Sequence, residues 1–328
     1  MKADFWQYTD EQKLSVFNEI KENTKLSPNA VEKDWWVSHV ILALWNIRCA
    51  DALTFKGGTS LSKAWNATHR FSEDVDISID KSFFGLSGET RSSRDRIRKL
   101  SREYIREEVM PELQSTLATF GANLCEVTFK LRQDSDADPT VLLIPYRSVL
   151  PEDPYIKGSI KVEFSCRNMR EPREMRRIKP IVCECSPVIE CPDIVVPTVV
   201  PTRTFLEKVF LLHEEHQKDY PRYKRMSRHL YDLAMLDEAG WADKAMADRE
   251  LFDAVVEHRR TFNAMRGIDY SGHVPQNLKI LPPAEVIGLW KEDYKVMCEG
   301  FIYGPAPSFK ELCARIESIE ERLHAMSD

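Results

Sequence analysis

An α/β half followed by a helical half is the architecture that this 328-residue sequence predicts. Three observations carry the prediction. Between residues 52 and 165, short segments alternate apolar and polar side chains with the period of two that marks a strand. Helical segments run between them, so sheet and helices belong to one mixed (α+β) core with flanking helices. Strand signals then stop near Pro201, and only helical periodicity follows. The predicted boundaries are a mixed-sheet domain over 1–200 and a helical domain over 201–328.

The elements follow in order. Residues 9–24 form a helix with Thr9 as its cap and Phe17 and Ile20 on one side. Ser27 is a natural N-cap for the next, Pro28 a natural first residue, and the helix runs to about residue 46. Residues 52–55 form a short strand, Gly57 and Gly58 turn the chain, and Thr59 and Ser60 open a helix. Residues 75–79 alternate as a second strand. A long charged helix fills 93–119, and strands are expected at 124–131, 140–147 and 157–165, with another over 181–185. The stretch 186–202 carries prolines 187, 192, 197 and 201 and reads as a linker. Helices are expected at 203–218, 226–239, 249–264, 284–299 and 308–326.

Composition narrows the class. With 43% hydrophobic and 30% charged residues, the chain is globular rather than disordered or fibrous. No apolar run approaches the ~18 residues of a membrane span. The start, MKADFWQYTDEQ, has no apolar signal region, so a cytoplasmic protein with no membrane partner is expected. Net charge is −6, yet residues 91–106, 167–179 and 222–228 are locally basic, which fits either a partner with a phosphate backbone or three solvated surfaces. The cysteines are expected as thiols. Cys183, Cys185 and Cys191 fit zinc-ligand spacing poorly, and Cys183 and Cys185 read as one face of a strand. His213 and His216 lack a third nearby ligand, and Trp35, Trp36, Trp45 and Trp65 read as core.

The chemistry concentrates in residues 55–80. Two glycines between a strand and a helix let the backbone approach a ligand, and a helix N-terminus attracts phosphate. Lys56, Thr59, Ser60 and Lys63 add donors and positive charge. The G-x4-G-K-[ST] phosphate loop is absent. Asp74 and Asp76 are two apart on the second strand, so both carboxylates share one face while Val75, Ile77 and Ile79 enter the core. Paired carboxylates of this kind suit Mg²⁺, and a solvated polar face is the alternative. Glu163, on a later strand between Val162 and Phe164, is the candidate third carboxylate, with a Lys161–Glu163 surface ladder as its alternative.

A strand–Gly-Gly–helix turn followed by D-x-D is the layout of nucleotidyltransferases. KGGTSLSKAW (56–65) and RFSEDVDISI (70–79) together resemble the AbiEii/AbiGii-type toxin family of nucleotidyltransferases, found in toxin–antitoxin and phage abortive-infection systems. Residues 31–36 (VEKDWW) resemble the segment that precedes the core in that family. TFLEKVFLLH supplies the family's helical lysine as Lys208, and RHLYDLAML supplies its aspartate as Asp232. The last ~90 residues match only as a helical tail.

The resemblance implies a nucleotidyltransferase-like core whose active site the helical domain completes. It implies catalytic roles for Asp74, Asp76, Lys208 and Asp232. Nucleoside triphosphate would be bound by Lys56, Gly57, Gly58, Thr59, Ser60, Lys63, Arg70, Ser72 and Arg228, with Mg²⁺ on Asp74, Asp76 and Glu163. Read from the residues alone, Lys208 either snorkels from its apolar helix or enters a polar pocket, and Asp232 either forms an i,i+4 pair with Arg228 or serves the site. The resemblance also implies an RNA acceptor, with the 3′ end of tRNA the leading candidate, and neutralisation by a cognate antitoxin. Two other functions stay open: nucleotide transfer to a protein (AMPylation), and RNA binding without catalysis.

Overall fold

The computed structural model describes residues 3–86, 91–122, 126–130, 139–153, 156–166, 169, 172–263, 265, 267–303 and 306–326, the side chains of 91–94 excepted. The chain divides into two compact units, 1–64 with 71–199, and 65–70 with 200–328. Cys125, Arg167 and Arg170 lie outside the described residues.

The first unit is built on a mixed sheet, as expected. Its described strands are β1 (Leu53–Lys56), β2 (Asp74–Ile79), β3 (Thr128–Phe129), β4 (Thr140–Pro145), β5 (Ser159–Ser165), β6 (Arg173–Ile178) and β7 (Ile194–Val199), in the order β3-β4-β5-β2-β1-β7-β6. β2 lies antiparallel to β1 and parallel to β5. That register sets Asp76 beside Lys56 on one side and Glu163 on the other, and Asp74 beside Lys161.

Helix α1 (Asp10–Thr24) opens with a capping box between Thr9 and Gln12, and α2 (Pro28–Leu44) opens with Ser27 Oγ accepting from the Ala30 N–H. α2 is apolar almost all round and packs on β2, β5 and β7 as well as on α1. Three consecutive charges are nevertheless buried on it: Glu32, Lys33 and Asp34. Each is paired, as burial requires. Glu32 accepts from the Ser148 hydroxyl and the Val149 N–H. The Lys33 ammonium donates to Glu73 Oε2 (2.6 Å) and to the Lys157 carbonyl (2.8 Å). Asp34 pairs with Lys63 and accepts from the Ile181 N–H at 2.7 Å. The Asp34→Asn variant keeps the shape but leaves the Lys63 ammonium, 7% exposed, without its countercharge. We expect a loss of about 3–5 kcal/mol in denaturant unfolding.

Four sequence expectations change here. Residues 181–185 form a short helix, α6 (Ile181–Cys185), rather than a strand, because the buried Asp34 carboxylate caps its first N–H. Cys183 and Cys185 therefore do not share a strand face. The 186–202 linker contains β7, which Pro197 hid, and β6 beside it had no alternating apolar pattern to reveal it. The 93–119 helix is interrupted: α4 (Arg91–Tyr104) passes through a π-turn at Ile105–Val109 into α5 (Met110–Thr119). Pro111 follows at once and supplies no N–H to an α-helical ladder, which accounts for the change of register. Of the strand expected over 124–131, Thr128 and Phe129 are paired, while 124, 125 and 131 lie outside the described residues.

The second unit is helical. It comprises α7 (Pro201–His216), α8 (Ser227–Glu238), α9 (Trp241–Ala247, not anticipated), α10 (Arg249–His258), α11 (Ile287–Gly300) and α12 (Phe309–His324). Phe205, Leu206, Val209 and Phe210 of α7 and Leu230, Leu233 and Leu236 of α8 are fully buried in its core. Segment 65–70 joins this unit through backbone bridging of Arg70 to Ile302, the Tyr303 N–H bond to the His69 carbonyl (3.1 Å), and Trp65 set edge-on to Trp241.

Candidate active site

In the first unit, β1 delivers Lys56 and the Gly-Gly turn, and α3 (Gly57–Lys63) leads away from it. Gly57 has φ +79°, and an alanine methyl there would stand 1.9 Å from Asp76 Oδ2. Only glycine satisfies both demands, because the backbone is left-handed and the carboxylate lies directly on its Cα. We expect Gly57→Ala to displace Asp76 and to cost about 1–3 kcal/mol. The check is joint loss of activity and of thermal stability.

The hydroxyls of α3 face inward. Thr59, fully buried, donates to the Asp74 carbonyl at 2.5 Å and lies 2.9 Å from Ser72 Oγ. Ser60, also buried, donates to the Gly57 carbonyl at 2.8 Å. Lys63 pairs with Asp34 and donates to the Lys179 carbonyl at 3.3 Å. These side chains tie the turn and α3 to β2 and α2. Ser72 joins them through Thr59.

The carboxylates converge as the strand reading required. Asp74, Asp76 and Glu163 lie on neighbouring positions of β2 and β5, all partly exposed. Partial burial, together with Glu163 and Asp74, pushes the Asp76 carboxyl up to about 7 against the pull of Lys56. Asp76 and Glu163 occupy directly paired positions of the two strands. The Lys161 ammonium stands 2.5 Å from Glu163 Oε1 and 3.6 Å from Asp74 Oδ2. Burial pulls Lys161 down, but Glu163 and Asp74 hold it above its ordinary range. The Lys161–Glu163 ladder weighed as an alternative is thus present.

Among the described residues no three His, Cys, Asp or Glu side chains stand at metal-binding geometry. The donor set still fits a hard divalent cation: carboxylate oxygens only, crowded together with a lysine as countercharge. Asp74, Asp76 and Glu163 are the residues that would hold it.

In the second unit, Asp232 of α8 is fully buried. Arg70 grips it with Nε (2.7 Å) and Nη2 (2.8 Å), and Lys208 Nζ lies 2.9 Å from Oδ2. Burial raises the Asp232 carboxyl, but Arg70 and Lys208 outweigh it and hold the group far below the usual carboxylate range. His229 is pushed well below its ordinary value by burial and by Lys208, so its neutral Nδ1 accepts from Lys208 at 3.4 Å. Lys208 does not snorkel; it is 8% exposed. Asp232 holds both Arg70 and Lys208. Arg228 is half-buried in the first turn of α8.

Sequence reasoning missed Glu73, the residue before Asp74, which Lys33 anchors from α2. The available signal was three successive charges on an otherwise apolar helix. His213 Nδ1 accepts from the Lys279 N–H at 3.1 Å.

Comparison with known proteins decides the family. The model for the nucleotidyl transferase AbiEii toxin of type IV toxin–antitoxin systems matches residues 40–318. The chain belongs to this family. A solved structure with a similar outline is MenT4, the nucleotidyltransferase toxin Rv2826c from Mycobacterium tuberculosis H37Rv. It is 16% identical, with a TM-score of 0.45 over 98% of this chain and 100% of that one. No curated protein sequence matches. As an AbiEii-family member the protein is a nucleotidyltransferase toxin of a toxin–antitoxin system, with a nucleoside triphosphate as substrate and an antitoxin as partner. No helix among the described residues is long and apolar enough to cross a membrane.

Proposed function

We propose that this AbiEii-family protein transfers a nucleotide from a nucleoside triphosphate to RNA, at the 3′ end of tRNA, in the cytoplasm, and so blocks translation. The observation that carries the reading is the carboxylate cluster on β2 and β5, with Gly57 seated on Asp76. The acceptor hydroxyl oxygen bonds to the α-phosphorus, and the bond from that phosphorus to the β-phosphate bridging oxygen breaks. Pyrophosphate leaves.

Mg²⁺, held by Asp74, Asp76 and Glu163, would neutralise the phosphates and favour ionisation of the acceptor hydroxyl. Lys56 and the backbone at Gly57 and Gly58 contact phosphate. Lys208, fixed by Asp232, and Arg228 are the cations of the second unit that the family resemblance assigns to triphosphate. Arg70 and Asp232 position Lys208.

Total tRNA is incubated with each α-labelled nucleoside triphosphate and Mg²⁺, intact or after periodate oxidation of its 3′ diol. Label on intact tRNA and none on oxidised tRNA is the expected result. Equal labelling of both would remove the 3′ end from the account, and label on protein alone would replace RNA transfer by AMPylation.

A further inference from the structure

The segment joining α7 to α8, residues 217–226, is not used by the site described above. Tyr220 at its tip is 91% exposed, and Arg222, Lys224 and Arg225 beside it are exposed as well. The segment is nonetheless firmly built. Glu215, 1% exposed at the end of α7, accepts from the Lys218 ammonium (2.7 Å), the Arg222 N–H (2.8 Å), and Arg222 Nε (2.9 Å) and Nη2 (2.7 Å). Burial opposes ionisation there, but the Arg222 and Lys218 bonds hold the Glu215 carboxyl down at about 2. At the other end, Asp293 of α11 accepts from the N–H groups of Arg225 (2.5 Å) and Ser227 (3.0 Å) and from the Ser227 hydroxyl (2.5 Å). Pro221 disfavours helical backbone at Tyr220.

A buried carboxylate, Glu215, and a half-buried one, Asp293, thus fix a loop whose exposed side chains are an aromatic ring, Tyr220, and the cations Arg222, Lys224 and Arg225, with one acid, Asp219, among them. Arg222 is spent on the anchor; Tyr220 and Lys224 have no comparable structural task, and burial gains nothing from a ring in water. A stacking surface beside positive charge is what holds single-stranded nucleic acid: the ring takes a base face and the cations take phosphates. Because the loop is already ordered, binding does not bear the cost of ordering it. It runs directly into α8, whose first turns carry Arg228, His229 and Asp232.

We infer that the α7–α8 loop is a docking surface for the single-stranded end of the RNA acceptor, with Tyr220 as its base-stacking platform and Lys224 as a phosphate contact. This rests on the reading that the acceptor is RNA. The test is steady-state transfer by the full-length protein, varying tRNA at saturating triphosphate and then the reverse. Tyr220→Ala raises the KM for tRNA about tenfold, the size of one lost base–aromatic stack, while kcat and the KM for triphosphate stay in place. Tyr220→Phe, which keeps the stack, restores the KM. Lys224→Ala lowers the slope of log affinity against log salt by about one in tRNA binding. An unchanged tRNA KM in Tyr220→Ala, in a wild type that labels tRNA, overturns this inference alone. A wild type that labels protein and not RNA overturns the reading on which it rests.

Discussion

Replacing Asp74 by alanine removes nucleotide transfer and leaves the fold intact. The reason lies in where the side chain sits. Asp74 is 25% exposed, and its countercharge, Lys161, is 3.6 Å away and bonded more closely to Glu163. Such a partly solvated pair contributes at most about 1 kcal/mol to stability. The carboxylate itself shares the face of β2 on which Asp76 and Glu163 converge. Losing several kcal/mol of transition-state charge stabilisation there corresponds to a rate loss of about a thousandfold or more. Label incorporation and a thermal melt on one preparation check both halves. An unfolded variant, or one that retains activity, would show that Asp74 is structural or dispensable.

Asp232→Asn has the opposite profile. The mutation strips the one carboxylate that Arg70 and Lys208 share, at a position with no solvent exposure. Removing one partner of a buried ionic cluster leaves charge uncompensated in a low-dielectric site, at a cost of about 3–5 kcal/mol. We expect this in denaturant unfolding of the variant. The pH dependence follows from the same geometry. The folded-state pKa of Asp232 is depressed, so its contribution is complete above the unfolded value of about 3.9 and is lost as pH falls through the folded one. The wild type therefore loses this contribution in acid, and the variant has none to lose. A variant as stable as the parent at neutral pH would contradict the account.

The two substitutions mark how far the sequence could be read. Alternation of apolar and polar residues exposed β2 and the shared face of Asp74 and Asp76, because a strand's period is local. Gly57 was legible as a turn, but its contact with Asp76, nineteen residues on, is a product of β1–β2 register. The hydroxyls of Thr59 and Ser60 bond to nearby backbone, a contact that short polar groups make readily and that the sequence does not mark. Asp232 had a plausible partner four residues away in Arg228, whereas Arg70 is 162 residues distant in the chain. No local pattern pairs groups so far apart. Glu32, Lys33 and Asp34 stood out on an apolar helix, yet their partners at 148, 73 and 63 come from three separate segments.

The most direct test of nucleotide transfer to RNA uses one triphosphate labelled at two positions. The full-length protein is incubated with total tRNA and Mg²⁺ in parallel reactions carrying label on the α- or the γ-phosphate. The account predicts that α label migrates with tRNA and γ label is released as pyrophosphate. Label from the γ position on RNA would make the reaction a phosphoryl transfer, and α label on protein alone would make the acceptor a protein; either contradicts it.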